Sequence, residues 1–406
     1  EVVESDSSGT STRDGLSRRQ LGTLRLLWLA GWQAQAQQID VSPFATGEII
    51  YDDNLFRVES APGANQVTDV IGVASVGLTG EFSPGLQAMN LTGLWRRFEY
   101  KTSDELNHDE YQLDGRWEWK AGRRFEGLLR AQAERSQDPF EFRDGQEQSF
   151  TVDRLYELTG TYHLNSLFRT ELSTSYTSRA GSDPDDAAFD LDEQQVDLAG
   201  FYRRDPIGEL GLGLTLLDGE FPHRSEQANP GLATSYRQYS GEVRMRWSPS
   251  AISTLNGAIG VTRREQTPVA GRDFSAATGR LDYNRSISGR TRVGVQASRR
   301  IWSTEQVDAN FATDSGIRTQ IEWQWSVKTR FRLEVERRAV RYQSDVLIAG
   351  QQARKDDISR GRLTAFWQPL ERLGVQLSGS RERRDSNQAG ESYEVWVSRL
   401  TLRLGF

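Results

Sequence analysis

The segment Tyr-Gln-Leu-Asp-Gly-Arg-Trp-Glu-Trp at positions 111–119 decides the fold class of this chain. Apolar residues and a glycine occupy its odd-numbered positions, and Gln, Asp, Arg and Glu stand between them. Alternation with a period of two residues is typical of a β-strand with one apolar and one polar face. The same pattern recurs at 239–247 and 317–327, and no long stretch shows helical spacing. The sequence therefore predicts an all-β chain.

The composition limits how such strands can pack. The chain has 406 residues, of which only 36% are hydrophobic, and a mean hydropathy of -0.64, so large buried cores are not expected. No segment approaches the roughly 18 apolar residues of a transmembrane helix. A transmembrane barrel fits better, because half of each of its strands is polar. Without cysteine there is no disulfide or thiol chemistry, and a net charge of -7 with mixed signs indicates no nucleic-acid partner.

The N-terminal region has the pattern of a targeting signal. Arg18, Arg19 and Arg25 precede and enter the apolar run 26–30, and Ala34-Gln35-Ala36 follows as a small-x-small cleavage site. We therefore expect residues 1–36 to be an N-terminal extension and signal peptide. Residues 37–406 are then the exported domain.

Turn signals alternate between tight and loose, as short periplasmic turns and longer extracellular loops would. The tight signals are Ser83-Pro84-Gly85, Ala121-Gly122, Asn165-Ser166, Asp205-Pro206, Ser248-Pro249-Ser250, Ser288-Gly289, Lys328-Thr329 and Gln368-Pro369. The loose ones are polar stretches near 57–67, 101–107, 137–147, 180–187, 222–232, 265–272, 304–311, 344–352 and 385–391. About 18 strands lie between these signals. The predicted fold is a transmembrane antiparallel up-and-down β-barrel in the bacterial outer membrane.

Aromatic residues support this topology, because strands that run toward the periplasm should end in an aromatic at the membrane interface. The predicted interface girdle comprises Trp119, Tyr162, Tyr202, Trp247, Tyr283, Trp325, Trp367 and Phe406. The last strand alternates apolar residues up to the terminal Phe406 and resembles the assembly signal of outer-membrane proteins. That resemblance implies the barrel assembly machinery and outer-membrane lipid as partners.

Charged side chains belong on the inner face, since each costs roughly 2 to 4 kcal/mol in lipid at the midplane. The predicted lumen-lining arginines are Arg292, Arg300, Arg318, Arg332, Arg338, Arg360, Arg362, Arg399 and Arg403. One interpretation is a basic wall that attracts an anionic solute or polymer. The other is that these arginines form ladders with neighbouring glutamates and stiffen the wall. The sequence leaves both open.

No catalytic or metal-binding pattern is present. The three histidines, at 108, 163 and 223, are too far apart for metal-ligand spacing, and no nucleophile elbow, phosphate loop or dinucleotide fingerprint occurs. We therefore expect no enzyme activity, no metal and no cofactor.

The first hairpin contains Tyr51-Asp52-Asp53-Asn54-Leu55-Phe56-Arg57, which resembles a segment of the EpsL-type barrels of exopolysaccharide operons, within the β-barrel porin-2 group. This resemblance implies a channel for polysaccharide export, working with a periplasmic polysaccharide export protein and inner-membrane synthesis machinery. The alternative is a porin for small anionic or sugar solutes, which requires an inward-folded loop that narrows the pore.

Two local features of the loops remain open at this stage. The Asp-Asp-Asn run either caps the hairpin through side-chain to backbone hydrogen bonds or binds a divalent cation, and we favour the cap. Pro139-Phe140-Glu141-Phe142 could form a constriction, but we expect an ordinary loop tip.

Overall fold

The computed structural model describes residues 39–59, 65–140, 148–182, 184–204, 208–225, 227, 233–267, 273–302, 311–343 and 353–406. In this part of the chain the main elements are 18 strands. They are β1 (Ile39–Asp52), β2 (Asp69–Phe82), β3 (Gln87–Tyr100), β4 (His108–Ala121), β5 (Phe125–Gln137), β6 (Phe150–His163), β7 (Phe168–Gly181), β8 (Leu191–Arg204), β9 (Gly208–Glu220), β10 (Ser235–Ser250), β11 (Ser253–Thr267), β12 (Phe274–Ser286), β13 (Thr291–Trp302), β14 (Phe311–Gln324), β15 (Thr329–Gln343), β16 (Lys355–Leu370), β17 (Leu373–Ser386) and β18 (Tyr393–Gly405). Two 3-10 helices, Asp104–Leu106 and Pro184–Phe189, lie in connections.

The sheet closes on itself. Each strand pairs antiparallel with its neighbours in sequence, and β1 pairs with both β2 and β18. The closing register runs without a break from Phe44 opposite Gly405 to Asp52 opposite Val397. The backbone N–H of Phe406 then donates to the Pro43 carbonyl at 3.0 Å. A closed sheet satisfies its own backbone, as lipid requires, so the predicted barrel and its strand number are confirmed.

The predicted tight turns that fall within the described residues agree with the structure except at two prolines. Strand β10 runs through Pro249 and β16 through Pro369, and the turns follow at 251–252 and 371–372. Each proline lies where the pairing register shifts, which marks a β-bulge. A proline has no N–H for the ladder, so a bulge tolerates it where regular pairing would not. The predicted turn at Asp205-Pro206 lies outside the described residues.

The two faces of the sheet differ in chemistry. One face carries exposed apolar side chains, such as Leu212 at 69% and Ile259 at 70% exposure. The other carries ion pairs between strands that are not neighbours, such as Arg169 of β7 with Glu209 of β9 at 2.9 Å. Side chains two strands apart meet only on the concave side of a curved sheet. The charged face is therefore the inner face of the barrel, and the apolar face points outward.

The predicted girdle residues lie on strand ends near the periplasmic turns. Trp119, Tyr162, Tyr202, Trp247, Tyr283 and Trp367 belong to the last residues of their strands, and Trp325 and Phe406 directly follow theirs. Several contact other aromatics, such as Trp119 with Phe125 across the turn and Phe168 with Tyr202 across paired strands, each at a centroid distance of 5.2 Å. Their contact with the membrane interface remains a prediction. No helix in the described part of the chain is long and apolar enough to cross a membrane.

The predicted signal peptide lies outside the described residues, which begin at Ile39. The division at residue 36 therefore stays a prediction.

Candidate functional site: a pocket at the extracellular mouth

The nine predicted arginines occupy the inner face of five strands at the end of the chain. The pairing register connects their positions from strand to strand, for example Arg318 opposite Glu336 and Glu336 opposite Arg360. They are Arg292 and Arg300 of β13, Arg318 of β14, Arg332 and Arg338 of β15, Arg360 and Arg362 of β16, and Arg399 and Arg403 of β18. Whether they contact a solute remains a prediction.

Most of these arginines are neutralised by carboxylates. Asp314, with only 4% of its side chain exposed, lies 3.0 Å from both Arg300 and Arg338. Glu322 lies 3.0 Å from Arg332 and 3.9 Å from Arg292. The further pairs are Arg318 with Glu336, Arg360 with Glu382 and Arg399 with Glu48. These contacts support the ladder interpretation for seven of the nine. We call the inner face of β13–β15, with Asp314, Glu322 and Glu336, the paired wall.

Arg362 and Arg403 differ from the rest. Among the described residues, neither has a carboxylate within ion-pair distance, although Glu334 stands opposite Arg362 in the register. The Arg403 guanidinium instead lies over the Phe44 ring, 4.2 Å from its centroid. Arg362 is exposed on the inner face of β16. Its guanidinium is thus available to an anion in the lumen.

The Tyr51–Arg57 segment is organised by its own polar side chains. The Asp52 carboxylate accepts two hydrogen bonds from the Arg57 guanidinium, each 2.9 Å long, and one from the Asn54 backbone at 3.0 Å. Arg57 has φ 56° and is the one non-glycine residue with positive φ in the described ranges. The bidentate ion pair holds this unfavourable backbone conformation in place.

The same segment is tied to the closing strand. The Asn54 amide donates to the carbonyls of Val58 at 2.8 Å and Glu394 at 3.0 Å, and Asp53 accepts the backbone N–H of Trp396 at 2.7 Å. These side-chain to backbone contacts are those of a cap. Within the described ranges no three His, Cys, Asp or Glu side chains are grouped to hold a metal ion. The contacts of the Asp-Asp-Asn run therefore agree with the hairpin cap.

The extracellular mouth is covered from the inside. The rings of Phe56, after β1, and Phe140, after β5, are 4.9 Å apart at an angle of 72°. Neighbouring strands are spaced about 4.8 Å apart, so β1 and β5 are roughly 19 Å apart along the wall. Phe140 packs against inward-facing residues of β1–β3, so the two connections meet on the inner side of the wall. The expectation of an ordinary loop tip at Pro139-Phe140 is therefore wrong, while Glu141 and Phe142 lie outside the described residues.

A buried apolar cluster supports this inward fold. It consists of Ile50, Leu55, Phe56, Ile71, Val73, Tyr100 and Leu106, with Phe140 packed against it, and we call it the mouth cluster. The sequence analysis missed it, although a signal was present. Ile49-Ile50 and Val70-Ile71 are consecutive apolar pairs, so both faces of β1 and β2 are apolar near their extracellular ends. An apolar residue on the inner face needs a partner inside the barrel.

Beside the mouth cluster lies a pocket of about 430 Å³, the mouth pocket. Arg360, Arg362 and Arg399 line one side, and Tyr100, His108, Glu110 and residues of the Asp52–Arg57 segment line the other. Hydrogen bonds make that second side rigid. The Tyr100 hydroxyl donates to the Gln137 side chain at 3.1 Å, and Glu110 accepts the Gln137 backbone N–H at 2.9 Å. The pocket thus combines aromatic surface with four arginines and four carboxylates, the latter being Asp52, Glu110, Asp138 and Glu382.

The three histidines are not brought together. His108 contacts the Leu106 carbonyl at 2.7 Å, His163 contacts Glu126 at 3.1 Å, and His223 contacts Asp190 at 2.8 Å. Each takes part in a local contact of its own strand end or loop.

The fold and this site define a class. A closed antiparallel barrel with an apolar outer face and a charged inner face is the architecture of bacterial outer-membrane β-barrels. Barrels of 16 to 18 strands enclose an aqueous channel. The chain is therefore a porin-like barrel of the bacterial outer membrane.

Comparison with known proteins finds similarity only at the level of structure. The outer-membrane protein OpdK from Pseudomonas aeruginosa is 11% identical, with 90% of this chain and 99% of that chain covered and a TM-score of 0.47. OccK2 (OpdF) from Pseudomonas aeruginosa is 12% identical, with 90% and 98% covered and a TM-score of 0.49. No protein-family model and no curated protein matches the sequence.

Proposed function

We propose that the chain is a porin through which small anionic or sugar-like solutes cross the outer membrane. The observation that carries this proposal is the contact between Phe56 and Phe140, because it places both connecting segments inside the mouth, against the inner face of β1–β3. An inward fold that narrows the mouth is what a solute porin needs. It opposes passage of a continuous polymer chain, which requires an unobstructed lumen.

The mouth pocket supports anionic solutes in particular. Its volume of about 430 Å³ suits a small molecule. Arg362 offers a guanidinium that no described carboxylate neutralises, and such a group binds a carboxylate through two parallel hydrogen bonds. Arg360 and Arg399 stand on the same side of the pocket, where Glu382 and Glu48 partly offset their charge. A solute carboxylate would therefore pair with Arg362.

Single-channel recording in planar bilayers tests the proposal. Glucuronate, a sugar with one carboxylate, should interrupt the current of the wild-type channel, and glucose should do so more weakly. Arg362→Gln should shorten the glucuronate events and leave the glucose events as they are. Equal blocking by the two sugars in the wild-type channel would contradict an anion-selective pocket.

Polysaccharide export is the second candidate, and the Tyr51–Arg57 segment favours it through its resemblance to the EpsL-type barrels. In that case the mouth cluster would have to swing aside when the periplasmic export protein and the inner-membrane machinery deliver the polymer. A strain without this gene distinguishes the two candidates. Lost uptake of small anions with normal polysaccharide release supports the porin, and the reverse pattern supports export.

A further inference from the structure

A second cavity lies on the outer face of the barrel. It has a volume of about 1220 Å³ and extends from Leu210 of β9 to Asp385 of β17. Its apolar side chains, including Ile259, Leu281 and Ile317, belong to the outward face. The outer surface of a round barrel is convex, so a cavity there means that the wall is indented. We call this cavity the outer groove.

Two features describe the wall at the outer groove: small residues on its outer face and exposed arginine side chains on its inner face. Gly257, Gly279 and Ala297 are small residues on three neighbouring strands of the groove, where Leu281 stands opposite both Gly257 and Ala297. On the inner face behind it, Arg292 has 77% and Arg300 has 66% of its side chain exposed. By contrast, Arg169 on the concave wall at β7 is 8% exposed. The inner-face arginines of β13 are thus far more accessible from the lumen than Arg169 of β7.

The two ends of the groove differ in polarity. Leu210 is two residues above the periplasmic start of β9, and the surface there is apolar. Arg299 is three residues below the extracellular end of β13, about 10 Å along the strand. Arg337 lines the groove from β15. The groove is thus amphiphilic, with its cationic end toward the extracellular side.

The charge at that end is not balanced within the protein. Asp357 and Asp385 also line the groove, but they pair with Arg341 and Arg383, each at 2.8 Å. Arg299 contacts only neutral groups, the Ala277 carbonyl at 3.0 Å and the Ser315 hydroxyl at 3.5 Å. No carboxylate among the described residues lies within ion-pair distance of Arg299 or Arg337. Two cations on a lipid-facing surface therefore need an anion from the membrane.

We propose that the outer groove binds one phosphorylated glycolipid of the lipid A class from the outer leaflet. The acyl chains would lie along the apolar part, and Arg299 and Arg337 would hold a headgroup phosphate. The orientation excludes a phospholipid of the periplasmic leaflet, whose headgroup would face the apolar end. Arginine suits this role because its planar guanidinium binds phosphate through paired hydrogen bonds.

Native mass spectrometry of the full chain in a neutral detergent tests this site with diphosphoryl lipid A. The wild-type protein should retain one lipid A per chain. The double variant Arg299→Gln/Arg337→Gln should bind it roughly 30-fold more weakly, because each arginine near an anionic headgroup contributes about a factor of five. Fully dephosphorylated lipid A should bind both proteins equally weakly. Equal binding of diphosphoryl lipid A by the two proteins would overturn the proposal.

Two further variants distinguish binding in the outer groove from non-specific attraction by basic residues of the surface. Arg154 also faces outward and is exposed, four residues below the extracellular end of β6, but it does not line the groove. Arg154→Gln should leave lipid A binding unchanged, and a loss like that of the double variant would overturn a specific site. Ala297→Phe fills the groove from the outward face and should weaken binding with both arginines in place. Unchanged binding by Ala297→Phe would exclude the groove as the acyl-chain site.

Folding is checked independently of lipid. Each variant should migrate as a compact barrel on an unheated detergent gel and as an extended chain after heating. Arg299→Lys/Arg337→Lys keeps both charges and should bind more tightly than the glutamine pair. If the lysine and glutamine pairs bind equally, the headgroup assignment is wrong.

Discussion

The paired wall and Arg362 of the mouth pocket show the same residue type in opposite electrostatic states. On the paired wall, Asp314 bridges Arg300 and Arg338, so charge of both signs nearly cancels within a few ångströms. In the mouth pocket, Arg362 stands among aromatic and polar side chains without a carboxylate partner among the described residues. The comparison teaches that counting arginines on an inner face does not predict anion selectivity. What matters is which guanidinium groups lack a carboxylate partner, and where the lumen is narrow.

The largest change in channel behaviour should follow from widening the extracellular mouth, because the mouth is the narrow part of the pore. Phe56→Ala/Phe140→Ala deletes both rings of the contact across the lumen. We expect the single-channel conductance to rise roughly twofold or more, because the mouth sets the resistance of the pore. Planar bilayer recording in potassium chloride measures it.

An outward-facing pair is the matched control for that experiment. Phe125→Ala/Phe168→Ala removes two rings from the outer face near the periplasmic turns. Its conductance should equal that of the wild-type channel. If the mouth variant also behaves like the wild type, the cluster does not limit the pore, and the porin proposal loses its main support.

The second-largest effect should be a difference in ion selectivity between loss of an unpaired arginine and loss of a paired one. Arg362→Gln should lower the anion-to-cation permeability ratio by roughly threefold, whereas Arg332→Gln should change it by less than about 1.5-fold. The difference arises because Glu322 still has two ion-pair partners after Arg332 is lost, namely Arg330 at 3.7 Å and Arg292 at 3.9 Å. Reversal potentials in a salt gradient give both ratios. Equal shifts in the two variants would mean that net lumen charge alone governs selectivity.

A smaller change in anion preference should follow when arginines of the paired wall lose their carboxylate partner. Asp314→Asn removes the charge that neutralises Arg300 and Arg338 and should raise anion preference by roughly 1.5-fold. Asp357→Asn makes the same charge change on the outward face, where Asp357 pairs with Arg341, and serves as the control. A rise in anion preference in the outward variant would show that the lumen is not the source of the effect.

The smallest effect on conductance should come from loosening the hairpin that supports the mouth. Asn54→Ala removes three hydrogen bonds to the backbone of Val58 and Glu394. At about 1 kcal/mol or less for each bond, local opening should become easier by roughly 2 kcal/mol. Hydrogen exchange at the Val58 amide should then accelerate by roughly 30-fold, with little change in conductance.

Two controls show whether the hairpin is capped by side chains or by a cation. Asn165→Ala removes a comparable cap from the periplasmic turn, where Asn165 accepts the N–H groups of Leu167 and Phe168. It should leave exchange at Val58 unchanged. Chelation of divalent cations should likewise have no effect on the wild-type protein, and faster exchange after chelation would restore the cation interpretation.

Much of the architecture was accessible from the sequence, because it depends on local patterns. The alternation at 111–119 and the aromatic ends of alternate strands predicted an antiparallel barrel, and the turn signals predicted about 18 strands, which is the number in the structure. The prolines at 249 and 369 misplaced two turns, since a proline signals a break but does not say whether it makes a turn or a bulge. Because successive side chains of a strand point to opposite faces, their positions alone placed the nine arginines on the inner face.

The sequence by itself thus determined the approximate number of strands and the side of the sheet on which each residue stands, both of which follow from a two-residue period and short-range turn chemistry. Only the tertiary structure decided that Phe56 meets Phe140, that Asp314 serves two arginines, and that a cavity lies on the outer face between β9 and β17. These features depend on the curvature of the closed sheet and on contacts between strands far apart in sequence, and no local pattern encodes either.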